Sequence, residues 1–82
     1  MIEVEVLFFA RARELAGTAA TRISLPEGSC VQAASDRIGE TFPELRGLLE
    51  TCRFAVNEAF ARPEDTIEDG CRIAVIPPVS GG

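Results

Sequence analysis

The chain ends Arg72-Ile73-Ala74-Val75-Ile76-Pro77-Pro78-Val79-Ser80-Gly81-Gly82, a strand-like run followed by a double proline and a terminal diglycine. Because proline fixes φ and has no N–H to donate, the two prolines are expected to end the strand and begin a stiff, extended exit. A polyproline-like chain over residues 77–82 would reach about 19 Å. The glycines add no Cβ that could obstruct a narrow channel, which favours an arm that enters another protein. A frayed terminus is the alternative interpretation.

The first residues predict a strand with an unusual second face. Over residues 2–9, apolar and acidic residues alternate at first, the period-2 pattern of a half-buried strand. Leu7 and Phe9 break the alternation, because they lie on the face that Glu3 and Glu5 expose. Either a loop of the same chain or a partner is therefore expected to cover that face.

Weaker patterns place the next two elements. Residues 10–20 are expected to form a loop with one helical turn over Ala12–Ala16, which Gly17 stops. Residues 21–25 alternate again and predict a second strand. Since a loop of about ten residues joins the two strands, they are expected to pair antiparallel.

Helical spacing predicts the main helix. Ser29 as N-cap and Gln32 three residues later suggest a capping box, and Pro43 prevents simple continuation at the other end. The apolar stripe between them consists of Val31, Ala34, Ile38 and Phe42. The elements expected after it are a short helix at 43–49, with Pro43 at its first position, and strands at 53–56, 59–61 and 71–76. Asn57-Glu58 is expected to make a tight turn between the strands at 53–56 and 59–61.

One helix on one face of a mixed sheet is the economical way to bury this pattern, so the predicted fold class is α+β. A sheet of about four or five strands is expected. If the first and last strands lie parallel at its centre, the architecture is the ubiquitin-like β-grasp, although periodicity alone does not determine the strand order. The predicted domain spans residues 1–76, and residues 77–82 form a flexible reactive tail.

The composition argues against several functional classes. The net charge is -5 and every basic residue is an arginine, so the chain is expected to repel nucleic acid. An acidic N-terminus and short apolar runs indicate neither a signal peptide nor a membrane span, and a cytoplasmic location is expected. Three cysteines without any histidine indicate neither a metal site nor a disulfide framework.

The side chains are poorly suited to autonomous catalysis. Histidine, tyrosine and tryptophan are absent, and no nucleophile–base set or phosphate-binding loop can be assembled. The carboxylate of Gly82 is the group with plausible covalent chemistry, once it is activated as an acyl adenylate. Attack by a sulfur donor would then give a thiocarboxylate, whereas attack by an amine would conjugate the tail to another protein.

A family resemblance extends along essentially the whole chain. The motifs that carry it are Leu7-Phe8-Phe9-Ala10 with Arg13-Glu14, Leu25-Pro26-Glu27-Gly28, Phe42-Pro43-Glu44-Leu45, Ala55-Val56-Asn57, Asp69-Gly70 and Ile76-Pro77-Pro78-Val79-Ser80-Gly81-Gly82. On these motifs the chain resembles the small subunit of molybdopterin synthase, the MoaD-type sulfur carriers of the ThiS/MoaD superfamily. Its Cys71-Arg72 departs from the pattern, since relatives commonly carry an acidic pair there.

The resemblance implies a β-grasp fold and a defined sulfur route. An E1-like adenylyltransferase (MoeB-type) would use ATP to adenylate Gly82, and a sulfur donor protein would supply the sulfur of the thiocarboxylate. The chain itself would bind no cofactor or metal. The large synthase subunit (MoaE-type), which is expected to hold the active site, would accept the tail and pass sulfur to a cyclic pyranopterin. The family complex is a heterotetramer of two small and two large subunits.

The expected site residues form two groups. Gly82 is the reacting residue, and Gly81 gives the tail its flexibility and its fit to a channel. An apolar patch on the sheet face opposite the helix is expected to bind both the activating enzyme and the large subunit, together with the tail. The members of this second group are Leu7, Phe9, Phe60, Ala74, Ile76, Pro77, Pro78, Val79 and Ser80.

Three other interpretations stay open on the sequence. The chain could carry sulfur for thiamine or cysteine synthesis, although the Pro-Pro-Val-Ser ending argues against this. It could be a ubiquitin-like modifier whose Gly82 forms isopeptide bonds with target lysines. As a plain binding module, it would tolerate deletion of Gly81 and Gly82.

Overall fold

The structure is a computed structural model and describes residues 1–78. Every predicted strand is present, with bounds within one residue of those expected. In this part of the chain, no helix is long and apolar enough to span a membrane. The elements are β1 (Ile2–Phe8), α1 (Ala10–Ala16), β2 (Ala20–Leu25), α2 (Val31–Thr41), a 3-10 turn (Pro43–Leu45), α3 (Arg46–Leu49), β3 (Arg53–Val56), β4 (Ala59–Ala61) and β5 (Arg72–Ile76).

Within residues 1–78 the strands form one sheet in the order β2-β1-β5-β3-β4. The first and last strands, β1 and β5, are parallel neighbours at its centre, with Phe8 beside Val75. β2 and β3 flank them antiparallel, and β4 continues the sheet beyond β3. This strand order confirms the β-grasp architecture and places the end of β5 in the middle of the sheet.

The hydrophobic core lies between α2 and one face of the sheet. The predicted helical stripe is confirmed: Val31, Ala34 and Ile38 are buried, and Phe42 packs half-buried against the core. The ring of Phe42 meets that of Phe8 edge-on, with centres 5.2 Å apart. This aromatic contact ties the end of α2 to the end of β1, beside the central strand pair.

The predicted capping box at the start of α2 is wrong. The N-cap is Cys30, and its side chain makes no capping hydrogen bond. The hydroxyl of Ser29 donates instead to the carbonyl of Pro26 at 2.7 Å, and the amide side chain of Gln32 donates to Asp36 at 3.0 Å. Both side chains that were expected to cap the helix are therefore engaged elsewhere.

Backbone carbonyls from a distant loop take over that role. The amide of Val31 donates to the carbonyl of Asp65, and the amide of Gln32 donates to that of Pro63, each at 2.9 Å. These bonds satisfy two of the donors that a helix start leaves unpaired. They also fix the loop before β5 against α2, a tertiary contact that no local pattern encodes.

The segment after β1 is more helical than predicted. The expected loop with one turn is a seven-residue helix, α1, which begins at Ala10 rather than Ala12. Ala10 has φ 50, in the left-handed region that non-glycine residues seldom adopt. Gly17 ends the helix as predicted, with φ 74 and its N–H bonded to the carbonyl of Arg13. The helix forms because Ala12 is buried in the core.

Two further local predictions are confirmed in outline. Pro43 opens the predicted short helix, which is divided into a 3-10 turn and α3. Asn57 and Glu58, with φ 49 and 71, make the tight turn that joins β3 to β4. Positive φ at both positions is the backbone that a two-residue hairpin loop requires.

Candidate docking face and C-terminal exit

An apolar row crosses the sheet on the face opposite α2. Residues paired across neighbouring strands share a face, so the register can be followed from one edge to the other. Leu7 alternates with Val6 and Phe8, which are buried in the core, so this row lies on the outer face. We call this set of residues the apolar row; in order across the sheet it consists of Ala20, Leu7, Ala74, Ala55 and Phe60.

The predicted docking residues occupy this face with different exposures. Leu7, Ala74 and Ile76 are half-buried, because neighbouring strands cover part of each side chain. Phe9 and Phe60 are far more open, at 47% and 68% exposed. A single exposed phenylalanine needs no explanation, but two of them on one face with an apolar row are typical of an interaction surface.

The same face leads to the C-terminal exit. β5 ends at Ile76, the residue before the double proline, as predicted. Continuing the β1–β5 register by one step puts Phe9 level with Ile76. Pro77 is buried and Pro78 is exposed, so the chain leaves the body between these two residues. The remaining predicted site residues, Val79, Ser80, Gly81 and Gly82, lie outside the described residues.

The opposite end of the face is polar and internally paired. The guanidinium of Arg72 donates to the carboxylate of Glu5 at 2.8 Å, and these two residues are also neighbours in the β1–β5 pairing. The backbone N–H of Arg72 donates to the side-chain oxygen of Asn57 at 2.9 Å. The unusual Arg72 of this chain therefore forms a neutral pair at the start of β5, away from the exit.

One charged residue of the outer face was not singled out from the sequence. Arg53 pairs with Ile76 across β3 and β5, and its guanidinium carbon lies 5.1 Å from the ring centre of Phe60. A cation held over an aromatic face in this way is an attractive arrangement. Only the register of β3 with β4 and β5 brings Arg53, Phe60 and Ile76 together, so no local pattern in the sequence indicates that these residues are neighbours.

A groove lies between α2 and the β3–β4 edge of the sheet. This groove of about 1000 Å³ is bounded by Asp36 and Glu40 on the helix and by Arg53 and Arg62 on the sheet side. Phe60 lines it as well, so the docking face curves over the edge strand into the groove. Within residues 1–78, no group of three or more His, Cys, Asp or Glu side chains could hold a metal ion.

The three cysteines are free thiols on the helix side of the molecule and at the entry to β5. Cys30 and Cys52 are half-buried, whereas Cys71 is buried. Burial raises the pKa of both Cys52 and Cys71, and the nearby Glu68 and Asp69 carboxylates raise the pKa of Cys71 further. A raised pKa keeps these thiols protonated and unreactive near neutral pH.

Comparison with known proteins adds a family to this geometry. The model of the ThiS family matches residues 6–82. The molybdopterin synthase sulfur carrier subunit of Chlamydomonas reinhardtii is 36% identical over 83 residues, which cover 99% of this chain and 100% of that protein. A putative molybdopterin converting factor, subunit 1, from Pyrococcus furiosus is 29% identical with a TM-score of 0.88, covering 96% of this chain and all of the other.

A solved complex shares the fold at lower sequence identity. It is the protein–protein complex of subunits 1 and 2 of the molybdopterin-converting factor from Helicobacter pylori. The matching chain is 24% identical with a TM-score of 0.71, and the match covers 99% of this chain and 100% of that one.

Proposed function

The chain belongs to the ThiS family, and within it to the molybdopterin synthase sulfur carrier subunits; we propose that Gly82 is the residue that carries the sulfur. The proposal combines the match, which extends to the last residue, with the exit at the end of a central strand. In this proposal residues 77–82 are the reactive tail of a β-grasp domain over residues 1–76.

Activation has to come first, because a carboxylate is a poor electrophile. A carboxylate oxygen of Gly82 attacks the α-phosphorus of ATP, pyrophosphate leaves, and an acyl adenylate forms. The terminal sulfur of a persulfide on a donor protein then attacks the acyl carbon, AMP leaves, and an acyl disulfide joins the tail to the donor. A second thiol attacks the donor's cysteine sulfur, so that a disulfide forms on the donor side and the tail is released as a terminal thiocarboxylate. Its sulfur is the nucleophile that is offered to the acceptor. The chain binds no cofactor for these steps, and ATP is a substrate of the activating enzyme.

Two protein partners follow from this route. The Helicobacter pylori complex pairs a protein of this fold with a second subunit, which supports a large synthase subunit as one partner. An E1-like adenylyltransferase is the other, because the chain offers no plausible means of activating its own carboxylate. The active site for transfer to the cyclic pyranopterin lies on the large subunit, and the assembly is a heterotetramer of two small and two large subunits.

The observation that carries the proposal is the apolar row beside the exit. Leu7 and Ala74 pair at the centre of the sheet, and the exposed Phe9 lies level with Ile76, where the tail departs. A partner that covers these residues receives the tail in a fixed direction. The same face serves both partners in turn, because the tail must enter an active site in each.

Intact-mass measurement of the protein from its native host tests the proposal. A sulfur carrier gains the mass of one sulfur-for-oxygen exchange, and the gain is absent when the activating enzyme is deleted. Ladders of conjugates that contain the chain, without that mass gain, would show a ubiquitin-like modifier instead. Transfer of the sulfur into the thiamine or cysteine route, with molybdopterin unaffected by loss of the chain, would contradict the assignment to molybdopterin synthase.

A further inference from the structure

Arg53 lies within the outer face, at the junction of the apolar row and the exit. Its cross-strand neighbour is Ile76, the last residue before the double proline. Its guanidinium lies over the ring of Phe60, the most exposed phenylalanine in residues 1–78. The ring beneath the guanidinium restricts it, so that less side-chain entropy is lost when a partner binds it.

The charge of Arg53 is not neutralised within residues 1–78. Two ion pairs form there, Arg11 with Glu14 and Arg72 with Glu5. Glu50 lines the same groove as Arg53 but forms no ion pair with it in this part of the chain. The two ends of the outer face therefore differ in charge. At one end Glu3 and Glu5 lie with Arg22 and Arg72, so the charges balance, whereas at the Phe60 end Arg53 keeps its positive charge.

We propose that Arg53 is a specificity-determining contact of the docking face, and that the partner surface covering Phe60 presents a carboxylate to it. The inference rests on the proposed function, because it assumes that a protein covers this face. The occupant to which it commits is an apolar protein surface bordered by an aspartate or glutamate.

The cost of desolvation favours such a carboxylate. A protein that covers Phe60 also removes water from the guanidinium stacked on it, and an unpaired buried charge is strongly unfavourable. A carboxylate offsets this cost, since it accepts hydrogen bonds from the planar guanidinium with matched geometry. A lysine or arginine at that point on a partner would repel Arg53, so the residue also discriminates against wrong surfaces.

The asymmetry of charge also orients the partner. A carboxylate placed over Phe60 meets the unpaired Arg53. One placed over the other end meets two carboxylates and two arginines, a set without net charge. The apolar row alone would allow rotation of a flat partner on the sheet. The single free charge beside Ile76 favours the orientation in which the tail points into the partner.

The test measures binding of the large synthase subunit to full-length chain variants by titration calorimetry. The variants are Arg53→Glu, Arg53→Gln, Phe60→Ala, and Arg37→Glu as a control that makes the same charge change at an exposed site on α2. We expect Arg53→Glu to weaken binding at least about tenfold and Arg53→Gln less, with Arg37→Glu within about twofold of wild type. Thermal unfolding checks that each variant is folded. If Arg53→Glu does not fold, the affinity of Arg53→Gln relative to wild type provides the test.

Salt dependence separates a charge contact from a structural role. The Debye length falls from about 10 Å in 0.1 M salt to about 3 Å in 1 M salt, so the gap between wild type and Arg53→Glu should narrow at high salt. Equal affinities of Arg53→Glu and Arg37→Glu at both salt concentrations would overturn the inference, and so would tighter binding by Arg53→Glu. If Phe60→Ala weakens binding and Arg53→Glu does not, only this inference is wrong. If Phe60→Ala also binds like wild type, the docking face of the proposed function is wrong.

Discussion

Leu7 on β1 lies directly beside Ala74 on β5, in the parallel pair at the centre of the sheet. The first and last strands of the chain thus meet where the sheet is best supported on both sides. Residues 77 and 78, which follow β5, consequently depart from the centre of the sheet, next to the apolar row. A partner that covers this face therefore also covers the point at which the chain leaves the sheet.

The first prediction concerns the exposed phenylalanine at the end of β1. Phe9→Glu should abolish co-purification with the large synthase subunit, because it places a charge in an apolar contact. Since Phe9 is 47% exposed, the free energy of unfolding should change by less than about 1 kcal/mol. Pull-down and urea denaturation of the same preparation check both statements, and unchanged binding would contradict a docking role for the outer face.

The second prediction contrasts the two faces of β5. Ile73 is 0% exposed in the core, so Ile73→Ala should lower the free energy of unfolding by about 2–5 kcal/mol. That is a large part of the 5–15 kcal/mol typical of a folded domain. Ala74→Ser, one residue along on the outer face, should cost less than about 1 kcal/mol. Urea denaturation measures both changes in the free energy of unfolding. Similar losses in the two variants would mean that the core face and the outer face of β5 are wrongly assigned.

The third prediction tests the left-handed backbone at the start of α1. Ala10 has φ 50, a conformation that glycine adopts without a Cβ penalty, so Ala10→Gly should be neutral or stabilising by up to about 1 kcal/mol. The matched control is Ala12→Gly in the same helix, where loss of a buried methyl and of helix propensity should cost about 1 kcal/mol or more. Thermal unfolding distinguishes them, and equal destabilisation would argue against the positive φ.

The fourth prediction concerns alkaline pH. Burial raises the pKa values of Cys52 and Cys71 in the folded protein, so the unfolded chain loses these protons at lower pH. The free energy of unfolding should therefore be insensitive to these thiols below about pH 8.5 and should fall as the pH rises above it. A double Cys52→Ala, Cys71→Ala variant should lose this alkaline decline. Urea denaturation from neutral pH upward checks it, and an unchanged decline in the variant would contradict the assignment.

Local patterns in the sequence predicted what depends on near neighbours. The strands, the apolar stripe of α2, the Asn57–Glu58 turn and the stop at Gly17 all depend on residues a few positions apart. The strand order came from the family resemblance, because periodicity does not specify which strands pair. The extent of α1 was missed because its formation depends on burying Ala12 in a core that other elements build.

The wrong capping box and the failure to single out Arg53 have the same physical cause, since both depend on contacts between distant parts of the chain. The capping box failed because carbonyls from the loop at 63–65 reach the first turn of α2, a contact between residues more than 30 positions apart. Arg53 was overlooked because its contact with Phe60 requires the hairpin register, and its position beside Ile76 requires the β3–β5 pairing. Leu7 and Phe9 could be placed on the outer face in advance because they break a strand alternation, which is visible in the sequence itself, whereas Ala74 also required the expected pairing of β1 with β5. The docking role of all three residues stays a prediction.

The central claim is that the carboxylate of Gly82 is the reactive group of this chain, which an activating enzyme converts to an acyl adenylate. Incubation with a candidate E1-like activating enzyme, ATP and labelled pyrophosphate measures formation of the acyl adenylate directly. We predict ATP–pyrophosphate exchange that depends on the chain and disappears when Gly82 is deleted, while the truncated domain unfolds at the same temperature as the intact one. Exchange that persists without Gly82 would contradict the account.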